Sequence, residues 1–266
     1  MKTLGFIGLG SQGAPMARRQ IDAGYPMVLW ARRPESLAPF ADTAATMADS
    51  LEDLAVRVDH VGICVVDDAG VRQVCETLMP VLRPGSSIAI HSTVHPDVCR
   101  ELAAQAAQRG LLLVDAPVSG GGPGAAAGTL TVMVGGPEPA VAAVQPLLET
   151  FASLIIHLGD VGAGQMAKLV NNALMAAHMA IAHEGLEAAA ALGIDRTALI
   201  ELVKVSSGRS FGFEVCSRLP EPAAFRHGAA LLAKDVRLLG ESLNGHASAE
   251  SFQRVTAAFL KQALQE

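Results

Sequence analysis

Short apolar runs alternate with longer amphipathic stretches along the first part of the chain. Residues 4–7, 27–30, 61–66, 87–91 and 111–114 have the length and composition of buried strands. The stretches 12–23, 69–79 and 96–109 between them repeat apolar positions at helical spacing. Pro15 falls in the first turn of the 12–23 helix, where its missing N–H costs nothing, and Gly24 ends that helix. Strands alternating with helices predict right-handed βαβ units and a parallel sheet covered on both faces. Two later strands, 130–134 and 154–157, flank a helix over 139–149. After Gly159-Asp160-Val161-Gly162 the alternation stops. Residues 165–192 read as one long helix carrying Leu169, Leu174, Met175, Ile181 and Leu186, and 195–205, 229–243 and 249–264 are helical after it. The pattern predicts a doubly wound α/β domain over 1–160 and an all-helical domain over 161–266, with a glycine-rich hinge near 160.

Composition narrows the class. A chain of 266 residues buries a large core, and one that is 50% hydrophobic but only 4% aromatic suits helices packed closely on a sheet. The net charge of −6, without a basic stripe, argues against a nucleic-acid partner. Cys64, Cys75, Cys99 and Cys216 form no C-x-x-C pair, so reduced, mostly buried thiols are expected rather than a disulfide or zinc framework. The first two residues resemble a signal n-region, but the chain then enters a glycine-rich turn, and no apolar stretch is long enough to span a bilayer. A soluble, cytoplasmic protein with no membrane partner and no metal is expected.

The first motif is Gly8-Leu9-Gly10-Ser11-Gln12-Gly13, after a predicted strand and opening a predicted helix. That is the context a dinucleotide cradle needs. Gly8 permits a tight turn, Gly10 lets backbone approach a pyrophosphate, and Gly13 lets helix pack on strand. The helix N-terminus adds N–H groups and partial positive charge. An NAD-preferring site places an acid at the end of the second strand, whereas here Ala31-Arg32-Arg33-Pro34 stands there and Glu35 is the first acid. A guanidinium pairs bidentately with a 2′-phosphate. NADP(H) is therefore the expected cofactor, with NAD(H) second, and Arg32 is favoured over Arg33 as phosphate ligand.

Two further motifs carry chemistry. Gly164-Gln165-Met166-Ala167-Lys168-Leu169-Val170-Asn171-Asn172 places Lys168 and Asn172 four apart on one helix face. A lysine ammonium can polarise a carbonyl and protonate the developing alkoxide, and Asn172 can hold the substrate oxygen without adding charge. Asp115-Ala116-Pro117-Val118-Ser119-Gly120-Gly121, followed by Gly122, offers a hydroxyl and bare N–H groups to a carboxylate. His178 and His183 are five apart, the wrong spacing for one metal, and read as partly buried helix residues. His91 and His95 flank Ser92-Thr93, close enough to touch substrate or cofactor.

Taken in order, these motifs resemble the β-hydroxyacid dehydrogenase family, whose members include 3-hydroxyisobutyrate dehydrogenase and semialdehyde reductases. The resemblance spans about residues 3–240. It rests on Gly8-x-Gly10-x-x-Gly13-x-x-Met16-Ala17, His91-Ser92-Thr93-Val94, Asp115 to Gly121 running through Gly128-Thr129-Leu130-Thr131, Gly164-x-x-x-Lys168-x-x-Asn171-Asn172, and Lys234-Asp235. It implies a Rossmann domain followed by a helical domain that forms much of a dimer interface, in a homodimer or homotetramer. It implies Lys168 as general acid/base, Asn172 on the substrate oxygen, and Ser119, Gly120 and Gly121 on a small carboxylate substrate. Val66, Asp67 and Thr93 would contact the cofactor. Lys234 would close over nicotinamide or substrate, oriented by Asp235.

The chain departs from the family at three places. Gln12 replaces a usual methionine, Val66-Asp67 replaces a common leucine-proline pair, and fewer helices follow Lys234-Asp235. Phe211, Phe213 and Arg209 are candidates for the far pocket wall. The function expected is hydride transfer between NADP(H) and a small β-hydroxyacid or its semialdehyde. An imine reductase, against which Lys168 counts, is the alternative enzyme, with a phosphogluconate-type decarboxylating relative behind it. A catalytically silent NADP-binding protein is the alternative from another class.

Overall fold

The structure, a computed structural model, describes residues 1–265. They fall into two compact units, Met1–Lys168 and the remainder from Leu169.

In the first unit the chain forms β1 (Leu4–Ile7), α1 (Gly13–Asp22), β2 (Met27–Trp30), a 3-10 segment (Pro34–Phe40), β3 (Thr46–Met47), α2 (Leu51–Arg57), β4 (His60–Ile63) and α3 (Asp68–Leu78). It continues through β5 (Ser87–Ile90), α4 (Pro96–Ala107), β6 (Leu112–Asp115), β7 (Val118–Ser119), α5 (Gly121–Ala127), β8 (Leu130–Val134), α6 (Glu138–Leu148) and β9 (Ala152–His157). The main sheet has six parallel strands in the order β3-β2-β1-β4-β5-β6. Successive residues of each strand feed opposite cores, as the two-residue period requires. Ile7, Val28 and Ile88 join the core beneath α2, α3 and α4, while Phe6, Leu29 and Ala89 join the core with Met16, Leu147 and Phe151. This is the expected doubly wound Rossmann arrangement.

The two later strands form a sheet of their own, β7-β8-β9, with β7 antiparallel and β8 and β9 parallel. Among the described residues it meets the main sheet through one isolated bridge, Asp115 to Gly135. Sequence period did not reveal α2, whose N-cap is nonetheless written as Ser50-x-x-Asp53: the Ser50 hydroxyl accepts from the Asp53 N–H at 3.1 Å. Nor did it reveal α5, because Gly121-Gly122-Pro123-Gly124 reads as a breaker until Ala125 to Ala127 complete the turn.

The second unit is helical throughout its described residues: most of α7 (Ala163–Ala191), then α8 (Arg196–Val205), α9 (Phe211–Ser217), a 3-10 segment (Pro222–Phe225), α10 (Arg226–Ser242) and α11 (Ala247–Leu264). Leu169, Ala176 and Met179 of α7 pack with Phe213, Leu232, Val236 and Phe259. A Cβ on Gly212 would lie 2.6 Å from the His178 Cβ, so α9 rests directly on α7. Of the apolar residues that the long helix carries, Leu169 and Leu186 are buried, whereas Leu174 is 44% and Ile181 63% exposed. The division after Lys168 leaves the opening turns of α7 with the sheet, where the sequence reading had placed the boundary at 160.

Candidate functional site

Parallel strands bring the loops after β1, β2, β4, β5 and β6 to one end of the sheet, the end where open α/β sheets bind ligands. The glycine turn after β1 meets each of its three demands differently. Gly8 has φ +94°, and a Cβ there would run into the Cys64 carbonyl; a Cβ on Gly13 would run into the carbonyl oxygen of Gly8. Gly10 has no atom within 4 Å of where its Cβ would be. Gly10 and Ser11 are exposed, Gln12 is half-buried and Leu9 turns into the core. No side chain caps α1 and no acid lies in its first turn, so the positive end of the helix lies beside the open, Cβ-free space at Gly10. A bare glycine turn beside an uncapped helix N-terminus is the chemistry a pyrophosphate needs.

After β2, Ala31 is half-buried, while Arg32 and Arg33 are exposed with no ion-pair partner among the described residues. Val66 is 72% exposed after β4. The Asp67 carboxylate accepts the Gly70 N–H at 2.9 Å, so it caps α3, a task the sequence reading had not given it. Thr93 is half-buried in the loop after β5.

Ser119 is half-buried and leads into Gly120 (φ +127°) and Gly121 (φ +65°). A Cβ on Gly122 would lie 2.7 Å from the Ser11 carbonyl oxygen. The carboxylate-binding candidate therefore rides directly on the cofactor-binding candidate, and only a bare backbone fits between.

Two buried side chains that sequence reasoning passed over hold α7 to these loops. Asp115, at the end of β6, accepts the Gly162 N–H and the Gln165 N–H, each at 2.7 Å, one on each carboxylate oxygen. Burial pushes its pKa up to about 6, while the two N–H groups pull the other way. A Cβ on Gly135 would strike this carboxylate, and one on Gly164 would lie 2.9 Å from it, which explains both glycines. Gln165, wholly buried, donates through Nε2 to the Ser92 carbonyl at 2.8 Å and accepts at Oε1 from the Val94 N–H at 3.1 Å. The Ser92 hydroxyl in turn accepts the Val65 N–H at 2.8 Å. Lys168, three residues after Gln165, is only 8% exposed.

The second unit holds the remaining candidates. Asn172 Nδ2 donates to the Asp235 carboxylate at 2.6 Å, and Lys234 Nζ lies 3.2 Å from the other carboxylate oxygen. Asn171 Nδ2 donates to Asn172 Oδ1 at 3.2 Å. Buried Asp235 thus orients Asn172 and Lys234 together, where the resemblance implied only the lysine.

The histidines resolve into structural roles. His91 is buried between Phe6 and Phe151, its Nδ1 2.8 Å from the Ala116 carbonyl, and desolvation lowers its pKa to about 4. His95 caps α4 through Asp97. His183 lies against the Phe259 ring, while His178 is exposed rather than partly buried. Of the pocket-wall candidates Phe213 is in the core, and Phe211 is exposed. Cys75, Cys99 and Cys216 are buried free thiols and Cys64 is a partly buried one. No group of metal-ligating side chains occurs, and no helix is long and apolar enough to cross a membrane, among the described residues.

Comparison with known proteins agrees with this geometry. Residues 3–159 match the family described as the NAD binding domain of 6-phosphogluconate dehydrogenase. Residues 162–266 match the NAD-binding domain of NADP-dependent 3-hydroxyisobutyrate dehydrogenase. The chain is 41% identical over 212 residues to an uncharacterised oxidoreductase of Mycobacterium tuberculosis, covering 79% of this chain and 72% of that protein. It is 36% identical over 267 residues to the NAD-dependent L-serine dehydrogenase of Pseudomonas aeruginosa, covering 93% and 87%. The solved 3-hydroxyisobutyrate dehydrogenase of Mycobacterium tuberculosis with L-serine superposes at a TM-score of 0.87 and 30% identity, over 98% of this chain and 93% of that one.

Proposed function

The chain belongs to the β-hydroxyacid dehydrogenase family of NAD(P)-dependent oxidoreductases, and from that premise we propose that it interconverts a small β-hydroxyacid and its semialdehyde, with NADP(H) preferred. The observation that carries the reading is Lys168: a lysine 8% exposed, in a unit whose glycine turn and Ser119-Gly120-Gly121 loop touch. Lysines are rarely buried to this degree, and this one stands on the first turns of α7 beside the loop after β5. In the reduction direction Lys168 Nζ gives its proton to the carbonyl oxygen as the carbon is reduced; in oxidation it removes the hydroxyl proton. The bound nicotinamide cofactor supplies or accepts the hydride.

The glycine turn and the first N–H groups of α1 would hold the pyrophosphate, Thr93 and the Val66-Asp67 segment the nicotinamide half, and Arg32, with Arg33 beside it, a 2′-phosphate. Ser119, Gly120 and Gly121 take the substrate carboxylate. Asn172 holds the substrate oxygen, and Lys234, held by Asp235, faces substrate or nicotinamide. The exposed Val170, Leu174 and Ile181 of α7 support a homodimer or homotetramer.

The test is NADPH and NADH oxidation with small semialdehydes (succinic, methylmalonic and tartronic), using wild type and Lys168→Ala. NADPH-dependent turnover lost in the variant is expected. Tight NADPH binding without turnover of any of them would overturn the reading in favour of imine substrates or a non-catalytic cofactor-binding role.

A further inference from the structure

We infer that Gln165 is a positioning residue for the proton transfer: its carboxamide, bonded to the main chain of Ser92 and Val94, fixes where the first turn of α7 presents Lys168. The inference rests on the reading of Lys168 as the proton donor.

Four observations carry it. The carboxamide is wholly buried and uses both ends, Nε2 to the Ser92 carbonyl at 2.8 Å and Oε1 from the Val94 N–H at 3.1 Å. Capping of the helix does not require it, because Asp115 already takes the Gly162 and Gln165 N–H groups. Its partners lie 71 and 73 residues away, so these bonds join the helix to the loop after β5 rather than stabilise the helix locally. Thr93 sits between the two bonded residues, and Lys168 lies three positions beyond Gln165, on the same side of α7. One amide therefore sets the lysine's turn and the loop holding Thr93 in a single register.

The chemistry demands an amide. Leucine would leave the Val94 N–H and the Ser92 carbonyl buried and unpaired. An ionised glutamate would set an oxygen anion against the Ser92 carbonyl. A neutral glutamic acid would reproduce both bonds, its O–H donating to Ser92 and its carbonyl accepting from Val94. Burial raises a carboxyl pKa here, as it does at Asp115.

The experiment compares wild type, Gln165→Leu, Gln165→Glu and Lys168→Ala by kcat and KM against pH, with NADPH titration and thermal melting for each. Gln165→Leu should lose only a few-fold in NADPH affinity, through the Thr93 loop, and keep its KM, while kcat falls by roughly 30- to 100-fold, the cost of an ångström-scale misplacement. Gln165→Glu should approach wild-type kcat at acid pH and lose it as its carboxyl ionises, adding a limb that wild type lacks. If Gln165→Leu does not fold, the Gln165→Glu profile decides alone. Wild-type kcat and pH profile in the Gln165 variants, with Lys168→Ala inactive, would overturn the positioning role and leave the lysine's role standing. The same follows if the new limb appears in thermal stability but not in kcat. Turnover surviving in Lys168→Ala would overturn both.

Discussion

Replacing Gly10 by alanine separates cofactor binding from folding. Nothing lies within 4 Å of the added methyl group, and Gly10 is not among the residues with positive φ. Stability should hold or rise by up to about 1 kcal/mol, since alanine restricts the unfolded chain. The methyl group would occupy the space a pyrophosphate needs. Loss of one charge-assisted N–H bond costs about 1.5–3 kcal/mol, or roughly 10- to 150-fold in Kd. At an NADPH concentration about 100 times the wild-type Kd, the ligand adds about 2.7 kcal/mol to wild type; after a 100-fold loss the same dose adds only about 0.4 kcal/mol. Melting curves should show NADPH raising the wild-type Tm by about 5–10 °C and the variant's by about 1 °C. Gly13→Ala is the contrast: its methyl group would strike the Gly8 carbonyl and sit 3.1 Å from the Phe6 ring, so Tm should drop without ligand. NADPH binding at wild-type strength by Gly10→Ala, or equal destabilisation of the two variants, would refute the reasoning.

Arg32→Ala should weaken NADPH by about 10-fold while leaving NADH nearly unchanged, because an exposed guanidinium recognises only the 2′-phosphate; equal losses for both carriers would reject it as the discriminating residue. Acid should destabilise the fold through His60 and His91, both buried, whose pKa values desolvation lowers to about 3 and about 4. Unfolded histidines protonate near 6.5, so as pH falls below that the unfolded chain binds more protons and stability drops until the folded pKa is reached. Asp115, raised to about 6, acts oppositely between there and its unfolded 3.8, leaving a net loss of about 1.4 kcal/mol per pH unit from pH 6 to 4. Denaturant titrations from pH 7 to 5 should show the loss, and His91→Phe should flatten it; equal slopes would assign the acid lability to other groups.

Most of the main sheet was legible because buried parallel strands are continuous apolar runs, and β1 and β2 ended where Gly8 and Ala31 stop them. The three glycine roles were legible because each follows from a missing Cβ. What stayed hidden depends on long-range burial. Gln165 and Asp115 look like ordinary polar residues until residues 71 and 50 positions away supply their partners. The pairing of Asn172 with Asp235 spans 63 residues and is equally invisible to local period. Leu174 and Ile181 lie among the apolar positions of the long helix but outside the core, because an apolar period cannot tell a buried face from an exposed one.

The buried clamp on α7 also bears on how this framework can diversify. Asp115 and Gln165 grip main-chain atoms of Gly162, Gln165, Ser92 and Val94, and the Gln165 side chain also bonds the buried Cys99 thiol. Main-chain atoms are the same whatever side chains flank them. The grip therefore does not depend on which side chains stand at Ser92 and Val94 beyond the main chain they share. Mutational tolerance should accordingly be low at Asp115, Gly135, Gly164 and Gln165, where a changed side chain or an added Cβ meets the clamp itself. Side chains around the clamp can change while the opening of α7 keeps its place against the loop after β5.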